Sequence, residues 1–397
     1  MKSINEVDIR GKKVLMRVDF NVPVDGNGFV ADDTRIKAHI RTIKYCLDNS
    51  AKVILMSHMG RPKGQRVEKL TLKPVVAVLS KLLGKDVVFV DDCIGDAVEK
   101  TVAAMKEKDI ILLENLRFHI GDEKNDPEFA KALAKLCDVY IDDAFAVSHR
   151  KAASNVAITE FVKISAAGFV LKDEIDYFNK AMSKPERPLA AIIGGAKVSD
   201  KIGVLENLVD TVDKLIIGGG MAFTFLKALG NEVGKSICEH EMVDKAKEIM
   251  AKAKIKHVTI YLPLDCVVAD KATADAQIKV SRVDEIPADY MGLDIGPATI
   301  AAFSDALKDV KTIVWNGPMG MFELEAFSKG TFALAKVIGE SDALSIIGGG
   351  DTDSAVHKAG VSSDVSYIST GGGAFLELLE GKVMPAVAAL EANGGKV

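Results

Sequence analysis

Short apolar runs rich in Val, Ile and Leu recur along the chain and alternate with segments that are apolar at helical spacing. In the first half the runs are Val14–Phe20, Val53–Met56, Val87–Val90, Ile110–Leu113 and Val139–Ile141. In the second half they are Leu189–Ile193, Leu215–Ile217, Val258–Leu262, Thr312–Trp315, Leu344–Ile347 and Tyr367–Ile368. Between them lie helical patterns such as Pro74–Leu83, Pro127–Leu136 and Asp244–Ala253. Runs that are apolar on both faces and separated by helices indicate buried parallel strands in βαβ units.

The segment Phe169–Pro188 is the best candidate for a boundary between domains. It combines a long amphipathic helix, Lys172–Met182, with Ser183-Lys-Pro-Glu-Arg-Pro188, whose two prolines end the helix before the next strand. We therefore predict an α/β fold of two doubly wound parallel-sheet (Rossmann-like) domains joined by a hinge helix. The predicted bounds are 1–168 and 189–380 for the domains, with 169–188 as the hinge and linker.

Composition excludes several classes of protein. Apolar residues make up 48% of the 397 positions and charged residues 27%, which argues against a disordered chain. No apolar run approaches the roughly 18 residues of a membrane span, and the N-terminus lacks an apolar signal core. The five cysteines are scattered without CxxC spacing, which favours a reducing compartment. These features predict a cytoplasmic protein that binds neither membranes nor nucleic acid.

The two halves of the chain differ in charge and in glycine content. Residues 1–190 carry 31 Lys and Arg against 28 Asp and Glu, whereas residues 191–397 carry 20 against 28. Nine of the ten arginines precede residue 191, and 24 of the 33 glycines follow it. Arginine suits bidentate binding of carboxylates and phosphates, while glycine-rich turns expose backbone N–H groups. The first half is thus predicted to hold a small anion and the second a phosphate-rich ligand, unless the difference is only compositional drift between unrelated domains.

Basic and polar residues follow the predicted strands of the first half. Asp19 lies at the end of the first run, Asn21 and Arg35 follow it, and His58 and Arg61 follow the second. Arg117 follows the fourth run, and Arg150 follows the fifth. Ligands of open parallel sheets bind beyond the carboxyl ends of the strands. Each residue alone could be an ordinary surface residue, but four arginines at one sheet edge favour a site for a polyanion.

Glycine-rich turns follow five predicted strands of the second half. They are Gly194-Gly-Ala-Lys-Val-Ser-Asp-Lys201, Gly218-Gly-Gly-Met221, Asn316-Gly-Pro-Met-Gly320, Gly348-Gly-Gly-Asp-Thr352 and Ser369-Thr-Gly-Gly-Gly373. Such turns bring backbone N–H groups and helix N-termini to one edge, where they can hold polyphosphate. The alternative, that glycine only lets strand and helix pack closely, explains one or two turns more readily than five. Asp351 is either a Mg²⁺ ligand or the N-cap of a helix.

Other nucleotide and hydrolase motifs are missing or imperfect. Gly230-Asn-Glu-Val-Gly234-Lys-Ser236 has three residues between its glycines where a P-loop needs four. No intact GxGxxG opens a helix after the first strand, and no serine lies on a GxSxG elbow. A nicotinamide-dependent dehydrogenase and a catalytically silent anion-binding protein remain as alternatives. The first needs the missing GxGxxG, and the second leaves Lys197, Lys201 and Asp351 unexplained.

The sequence closely resembles the phosphoglycerate kinase family, and the shared motifs occur in the family's order over essentially the whole chain. In the first half they are Arg17-Val-Asp-Phe-Asn-Val-Pro23, Asp33-Thr-Arg35, Ser57-His-Met-Gly-Arg-Pro62, Glu114-Asn-Leu-Arg-Phe118 and His149-Arg150. In the second half they are the five glycine-rich turns, of which the second extends to Ala222 and the third begins at Trp315, together with Leu293-Asp-Ile-Gly-Pro297. The resemblance implies a monomer with the family's two-domain fold. It also implies a phosphoryl transfer between 1,3-bisphosphoglycerate and ADP that yields 3-phosphoglycerate and ATP, and a need for Mg²⁺. It also implies that residues 381–397 return to the N-terminal domain.

The resemblance assigns roles to individual residues. It implies that phosphoglycerate is held by Asp19, Asn21, Arg35, His58, Met59, Gly60, Arg61, Arg117 and Arg150. It implies a nucleotide site formed by Gly195, Lys197, Lys201, Gly219, Gly220, Gly292, Asn316, Glu323, Gly349, Gly350, Asp351 and Thr352. Asp351 would bind the Mg²⁺, and Arg35, Lys197, Lys201, Gly350 and Gly373 would be catalytic. We expect direct in-line transfer without a covalent enzyme intermediate, in a cleft that closes and expels water.

One segment departs from the family pattern. Many members read Asp-Ala-Phe-Gly-Thr-Ala-His-Arg where this chain reads Asp143-Ala-Phe-Ala-Val-Ser-His-Arg150. The lost glycine and threonine hydroxyl call into question a local backbone contact to the substrate, but not the role of Arg150.

Overall fold

The computed structural model describes residues 1–393, and within it the chain divides into two compact units. Unit 1 comprises residues 1–175 and 383–393, and unit 2 comprises residues 176–382. The boundaries proposed from the sequence (168, 189 and 380) stay predictions. Residues 394–397 of the expected C-terminal segment lie outside the described residues.

Unit 1 is built on a six-stranded parallel sheet with the strand order β3-β4-β2-β1-β5-β6. Its strands are β1 Lys13–Arg17, β2 Lys52–Met56, β3 Val88–Val90, β4 Ile110–Leu113, β5 Val139–Asp142 and β6 Ser165–Ala167. Its helices are α1 Thr34–Asp48, α2 Lys73–Leu83, α3 Asp96–Ala103, α4 Ile120–Glu123, α5 Pro127–Ala134, α6 Ile158–Phe161, the first part of α7 Phe169–Phe178, and α15 Pro385–Asn393.

The central strands of unit 1 are apolar on both faces because helices cover both faces of the sheet. Val14, Leu15 and Met16 of β1 are fully buried. In register, Arg17 at the end of β1 lies opposite Met56 of β2 on one side and Asp142 of β5 on the other. The carboxyl ends of β1, β2 and β5 therefore meet at one sheet edge, and the segments that follow them are brought together there.

Unit 2 contains a second six-stranded parallel sheet, with the order β15-β14-β13-β7-β8-β9. Its strands are β7 Leu189–Ile193, β8 Lys214–Ile217, β9 Thr259–Tyr261, β13 Thr312–Asn316, β14 Leu344–Gly348 and β15 Tyr367–Ile368. The helices are α8 Ile202–Leu208, α9 Ala222–Ala228, α10 Val243–Ile255, α11 Pro297–Leu307, α12 Lys329–Gly339, α13 Gly350–Lys358 and α14 Gly373–Leu379. Two parallel-sheet α/β domains were predicted, and the prediction is confirmed.

Unit 2 also carries a three-stranded antiparallel sheet that the sequence analysis missed. Its strands are β10 Asp265–Ala269, β11 Ile278–Arg282 and β12 Met291–Ile295, in the order β11-β10-β12. The outer strand β11 is mostly exposed, so it lacks the continuous apolar run by which the buried strands were recognised. The other two strands, β10 and β12, contribute residues that line a cavity of unit 2.

Two predicted elements differ from expectation in their C-terminal parts. The run Val14–Phe20 was predicted as one strand, but β1 stops at Arg17, and the Phe20 amide donates to the Ser57 hydroxyl instead of to a strand. Val18 and Phe20 are nevertheless fully buried, so the apolar pattern reports burial beyond the end of strand pairing. The predicted helix Lys172–Met182 is α-helical only to Phe178 and continues as a π-helical turn over Asn179–Ser183.

Within residues 1–393, none of the helices combines the length and the apolar character needed to cross a bilayer.

Candidate active site

The carboxyl edge of the unit 1 sheet carries a network centred on Arg35, at the start of α1. Its guanidinium lies 2.9 Å from the Asp19 carboxylate and also donates to the Asn21 carbonyl at 3.2 Å. Asp19 is buried, whereas the Arg35 side chain is 44% exposed, so the network holds the arginine while its outer N–H groups stay open to solvent. A guanidinium has five donors, and those not used by Asp19 and Asn21 can bind a ligand.

Asn21 connects this network to the loop after β2. The Asn21 side-chain oxygen accepts from the Gly60 amide at 2.9 Å, and the Gly60 carbonyl accepts from Arg117 at 2.8 Å. The neighbouring Met59 carbonyl accepts from the Asn115 amide group at 2.8 Å. Gly60 has a φ of +60°, a conformation that favours glycine. Met59 and Gly60 thus act through their backbones, and Arg61 is exposed on the same loop.

Arg117 and Arg150 line a cavity of about 340 Å³ in unit 1 together with Arg17 and Lys151. Arg117 is buried, whereas Arg150 is exposed and lies 3.1 Å from the His149 ring. Asp122 and Glu123 also line the cavity, and Glu123 lies 3.6 Å from Arg117. The cationic side chains from the ends of β1, β4 and β5 therefore share one cavity, as the strand-end pattern predicts.

His58 is buried within this cluster. Burial holds its pKa well below the usual value, and the charges of Arg17, Arg117, Arg150 and Arg35 lower it further. The ring is therefore neutral near pH 7, so the arginines carry the positive charge of the site.

Two residues that support this edge were missed as site residues. Arg17 is 2% exposed, and the signal for its role in the sequence was an arginine inside an otherwise apolar strand. His39 of α1 accepts from the Asp19 amide at 3.0 Å and contacts the Asp143 carboxylate at 2.7 Å. His39 thus fixes the backbone of a predicted site residue, which no spacing in the sequence signals.

Residues 146–148, where the chain departs from the family pattern, are held by hydrogen bonds within unit 1. Phe145–Val147 form a 3₁₀ turn, and the Ser148 hydroxyl donates to the Phe145 carbonyl at 2.7 Å. The Ser148 carbonyl accepts from the Ala386 amide in the C-terminal helix α15, within unit 1. The Ser148 side chain is thus used internally, and no contact to a ligand is expected from it.

Unit 2 contains a cavity of about 310 Å³ at the carboxyl edge of its parallel sheet. Six of the predicted nucleotide-site residues line it: Gly195, Gly219, Gly220, Gly292, Glu323 and Asp351. The other wall residues include Phe223, Ile237, Pro263 and Met321, which were not predicted. The cavity combines apolar walls with a few polar groups, which is typical of a small-molecule site.

A second group of predicted residues lies around the ends of β13 and β14. The Lys201 ammonium contacts the Asn316 side-chain oxygen, and the Asn316 amide donates to the Gly348 carbonyl at 2.7 Å. The Thr352 hydroxyl accepts from the Gly317 amide at 2.7 Å. Burial lowers the pKa of Lys201, an effect opposed by the charges of Asp200, Asp351 and Glu380. Lys197 is exposed at the start of the same glycine-rich segment and does not line the cavity.

Glycine has different causes in different turns, which corrects the expectation that all five form a phosphate cradle. A Cβ on Gly194 would lie 2.1 Å from the Pro318 carbonyl oxygen, and one on Gly317 would lie 2.3 Å from the Gly194 carbonyl oxygen. A Cβ on Gly219 would lie 2.7 Å from the Gly195 amide. Close backbone packing therefore explains the first three turns, which lock to one another.

The last two glycine-rich turns each contain a glycine with free space beside it, although Gly348 of the fourth turn packs against Phe375. Gly350 and Gly373 begin α13 and α14, and a Cβ on either would meet nothing within 4 Å. Both helices have a glycine N-cap, which has no side chain to satisfy the first-turn N–H groups. These two turns are the ones suited to bind phosphate. Asp351 lies in the first turn of α13, and Gly349 is the N-cap of that helix. The alternative that Asp351 is itself the N-cap is therefore wrong.

Gly219→Ala should weaken nucleotide binding. Gly219 has a φ of +67°, where an L side chain costs about 1–2 kcal/mol, and the new methyl would press on the Gly195 backbone in the cavity wall. We expect the dissociation constant for ATP, measured by calorimetry, to rise about tenfold or more. Gly26→Ala, where a Cβ meets nothing, is the matched control and should leave it unchanged. Equal ATP dissociation constants in the two variants would show that the turn at Gly219 does not shape an ATP site.

Asp294 gives the cavity wall a pH-sensitive carboxylate. Burial raises its pKa to about 7, although the Gly330 and Ile295 amides donate to it. The unfolded chain releases this proton near pH 4, so the folded protein binds more protons between about pH 4 and 7, and its stability falls as the pH rises. In urea unfolding followed by Trp315, the single tryptophan, the wild type should lose more stability than Asp294→Asn between about pH 5 and 8. Identical pH dependence of the two proteins would contradict this.

Each unit thus presents an edge suited to anions: a guanidinium cluster in unit 1, and in unit 2 a part-apolar cavity beside uncapped helix N-termini and a partly buried lysine. These features define an α/β enzyme of the phosphotransferase class. Comparison with known proteins agrees: residues 4–382 match the family model for phosphoglycerate kinase.

Relatives of similar length are also described as phosphoglycerate kinases. A phosphoglycerate kinase of Geobacter metallireducens is 58% identical over 395 residues, which is 99% of both chains. One of Synechococcus elongatus is 53% identical over 98% of both chains. The solved structure of phosphoglycerate kinase from Coxiella burnetii matches 98% of both chains at 42% identity with a TM-score of 0.92. The chain belongs to the phosphoglycerate kinase family, and its activity is that of a phosphotransferase acting on small molecules.

Proposed function

We propose that the protein transfers a phosphoryl group directly and reversibly between 1,3-bisphosphoglycerate held on unit 1 and ADP held on unit 2, giving 3-phosphoglycerate and ATP. The observation that carries this proposal is the complementary chemistry of the two edges. 3-Phosphoglycerate, a compact trianion, fits a cluster of guanidinium groups, whereas a nucleotide needs an apolar cavity beside phosphate-binding N–H groups. We further propose that the enzyme acts as a cytoplasmic monomer.

On unit 1 the proposal assigns phosphoglycerate binding to Arg35, Arg61, Arg117, Arg150 and His58. Asp19 and Asn21 hold Arg35 in place through the contacts already described. Arg35 is anchored at the buried Asp19 while its own side chain is 44% exposed, which suits it to the transferring phosphoryl group. Its charge would stabilise oxygens that become more negative in the transition state.

On unit 2 the nucleoside would occupy the cavity lined by Gly219, Gly220 and Gly292, with Glu323 near the ribose. The phosphates would extend toward the N-termini of α13 and α14, where Gly349, Gly350, Thr352 and Gly373 lie. Lys201, partly desolvated and held at Asn316, would bind the transferring group from this side, and Lys197 would bind the phosphates as an exposed cation.

The residues present fit a Mg²⁺ ion bound with the nucleotide. Asp351 is an exposed carboxylate that lines the cavity next to the phosphate-binding turn, and Mg²⁺ prefers one or two carboxylates together with phosphate oxygens. When bound, the ion would neutralise phosphate charge. The ligands are held by separate units, so the proposal also requires the units to close on them and exclude water.

Isotope exchange between ATP and labelled ADP tests direct transfer. Without a covalent intermediate, label moves from ADP into ATP only when 3-phosphoglycerate is present. Chelating Mg²⁺ should slow the exchange by about tenfold or more. Rapid exchange in the absence of 3-phosphoglycerate would show a phosphorylated enzyme and overturn direct transfer, and exchange that is unaffected by chelation would overturn the role of Mg²⁺.

A further inference from the structure

Arg17 is a buried arginine whose three donor groups are all engaged. Its Nε donates to the Ser154 hydroxyl at 3.2 Å, one terminal nitrogen donates to the Val18 carbonyl, and the other contacts His58 Nδ1 at 3.2 Å. Ser154 is itself held, because its amide donates to the Asp122 carboxylate and its carbonyl accepts from the Tyr140 hydroxyl. The guanidinium therefore cannot turn away from the His58 ring without losing partners on three segments.

This contact decides where the His58 proton lies. A guanidinium only donates hydrogen bonds, so Nδ1 of His58 must accept with its lone pair. The ring proton is then on Nε2. We propose that Arg17 is a positioning residue that fixes His58 as the neutral Nε2–H tautomer, so that His58 offers phosphoglycerate a neutral N–H donor. The first part of the proposal stands on geometry alone, and the second rests on the proposed function.

The surroundings of His58 support a neutral ring. Arg17 from β1, Arg35 from α1, Arg117 from the turn after β4 and Arg150 from the segment after β5 all act on it, and each opposes a further positive charge. Protonation of Nδ1 would also place an N–H against the Arg17 N–H. The site thus separates two tasks: the arginines supply charge, and His58 supplies a directed hydrogen bond whose orientation Arg17 sets.

Nitrogen NMR of the ¹⁵N-histidine-labelled full chain reads the tautomer directly. The chain has seven histidines, and the His58 signals are identified by their loss in His58→Gln. Near pH 7 we expect a protonated Nε2 and an unprotonated Nδ1 in the wild type. A proton on Nδ1, on both nitrogens, or averaged between them would overturn the proposal whether or not the Arg17 variants fold.

Two pairs of substitutions separate the tautomer from mere structural support. Arg17→Met removes the donor and should give mixed His58 tautomers and a KM for 3-phosphoglycerate raised about tenfold or more, with a smaller change in kcat. Arg17→Gln keeps a donor and should restore much of both readouts. In the second pair, the amide of His58→Gln lies near the position of Nε2 and that of His58→Asn near Nδ1, so the glutamine variant should bind 3-phosphoglycerate about tenfold more tightly.

The outcomes separate a failure of this proposal from a failure of the proposed function on which its second part rests. Unchanged His58 tautomers in Arg17→Met would overturn the role of Arg17. Wild-type His58 in the expected tautomer, with equal 3-phosphoglycerate affinity in His58→Gln and His58→Asn, would overturn the donor role and move the substrate away from His58. Absence of 3-phosphoglycerate binding to the wild type would instead overturn the proposed function and leave the tautomer assignment standing.

Discussion

Arg35→Ala is expected to lower kcat by about 10³-fold or more, as for arginines that stabilise a transferring phosphoryl group, with ATP affinity within about twofold of the wild type. Arg35 is anchored at Asp19 and Asn21 on unit 1, and it does not line the nucleotide cavity of unit 2. The substitution should therefore remove transition-state stabilisation without disturbing ATP. Steady-state kinetics and calorimetric ATP titration measure the two effects separately.

Lys44→Ala is the matched control for Arg35, because Lys44 is an exposed cation on the same helix α1. It should leave kcat unchanged. If Arg35→Ala retained more than about a tenth of the wild-type kcat, the lost stabilisation would be under about 1.4 kcal/mol, too little for contact with the transferring group.

Lys201→Met is expected to lower kcat by about 10²–10³-fold, the usual cost of removing one preorganised cation or donor from the transition state. Lys201 is partly buried and held at Asn316, so its ammonium is already desolvated and directed before any ligand binds. Methionine keeps the length and apolar stem of lysine but removes the charge. Affinity for 3-phosphoglycerate, which the proposal places on unit 1, should not change.

The control for Lys201 is Lys308→Met, an exposed lysine of unit 2 that pairs with Asp305 at the surface. Its kcat should equal that of the wild type, because exposed ion pairs contribute little. A Lys201→Met enzyme that keeps a kcat within about threefold of the wild type would place the ammonium outside the reacting centre.

The buried strands could be predicted from the sequence because their physical cause is local. Helices cover both faces of a parallel sheet, so strands such as Leu189–Ile193 are continuous apolar runs. β6, Ser165–Ala167, consists of three small residues and leaves no such run, although all three are buried. β11 was missed for the opposite reason, because it is mostly exposed. Burial, rather than strand pairing, is what the pattern reports.

The candidate site could be predicted only in part. Strand-end positions brought Arg35, Arg117 and Arg150 to one edge because parallel strands align their carboxyl ends. The partners that hold these residues come from positions far apart in the chain. His39 lies 104 residues from Asp143, and Arg17 lies 137 from Ser154. Neither pair leaves a local signal, so the supporting residues became visible only in the fold.

The roles of the glycines could likewise be predicted only in part from the sequence. In sequence the turns at Gly194, Gly218 and Gly348 look alike, yet their causes differ. Gly194 is required by the Pro318 carbonyl oxygen, which belongs to another turn, and Gly218 by the Met319 side chain. Gly350, in contrast, faces open space. Which glycine serves packing and which serves a ligand depends on what lies opposite in space.

Turnover with both substrates tests the central claim most directly. The purified protein is given 3-phosphoglycerate, ATP and Mg²⁺, and the 1,3-bisphosphoglycerate formed is consumed by a dehydrogenase that oxidises NADH. We predict NADH loss that stops when either 3-phosphoglycerate, ATP or Mg²⁺ is left out. Folded protein that binds ATP but shows no NADH loss with all three present, or NADH loss that continues without 3-phosphoglycerate, would contradict the assignment of acceptor and reaction.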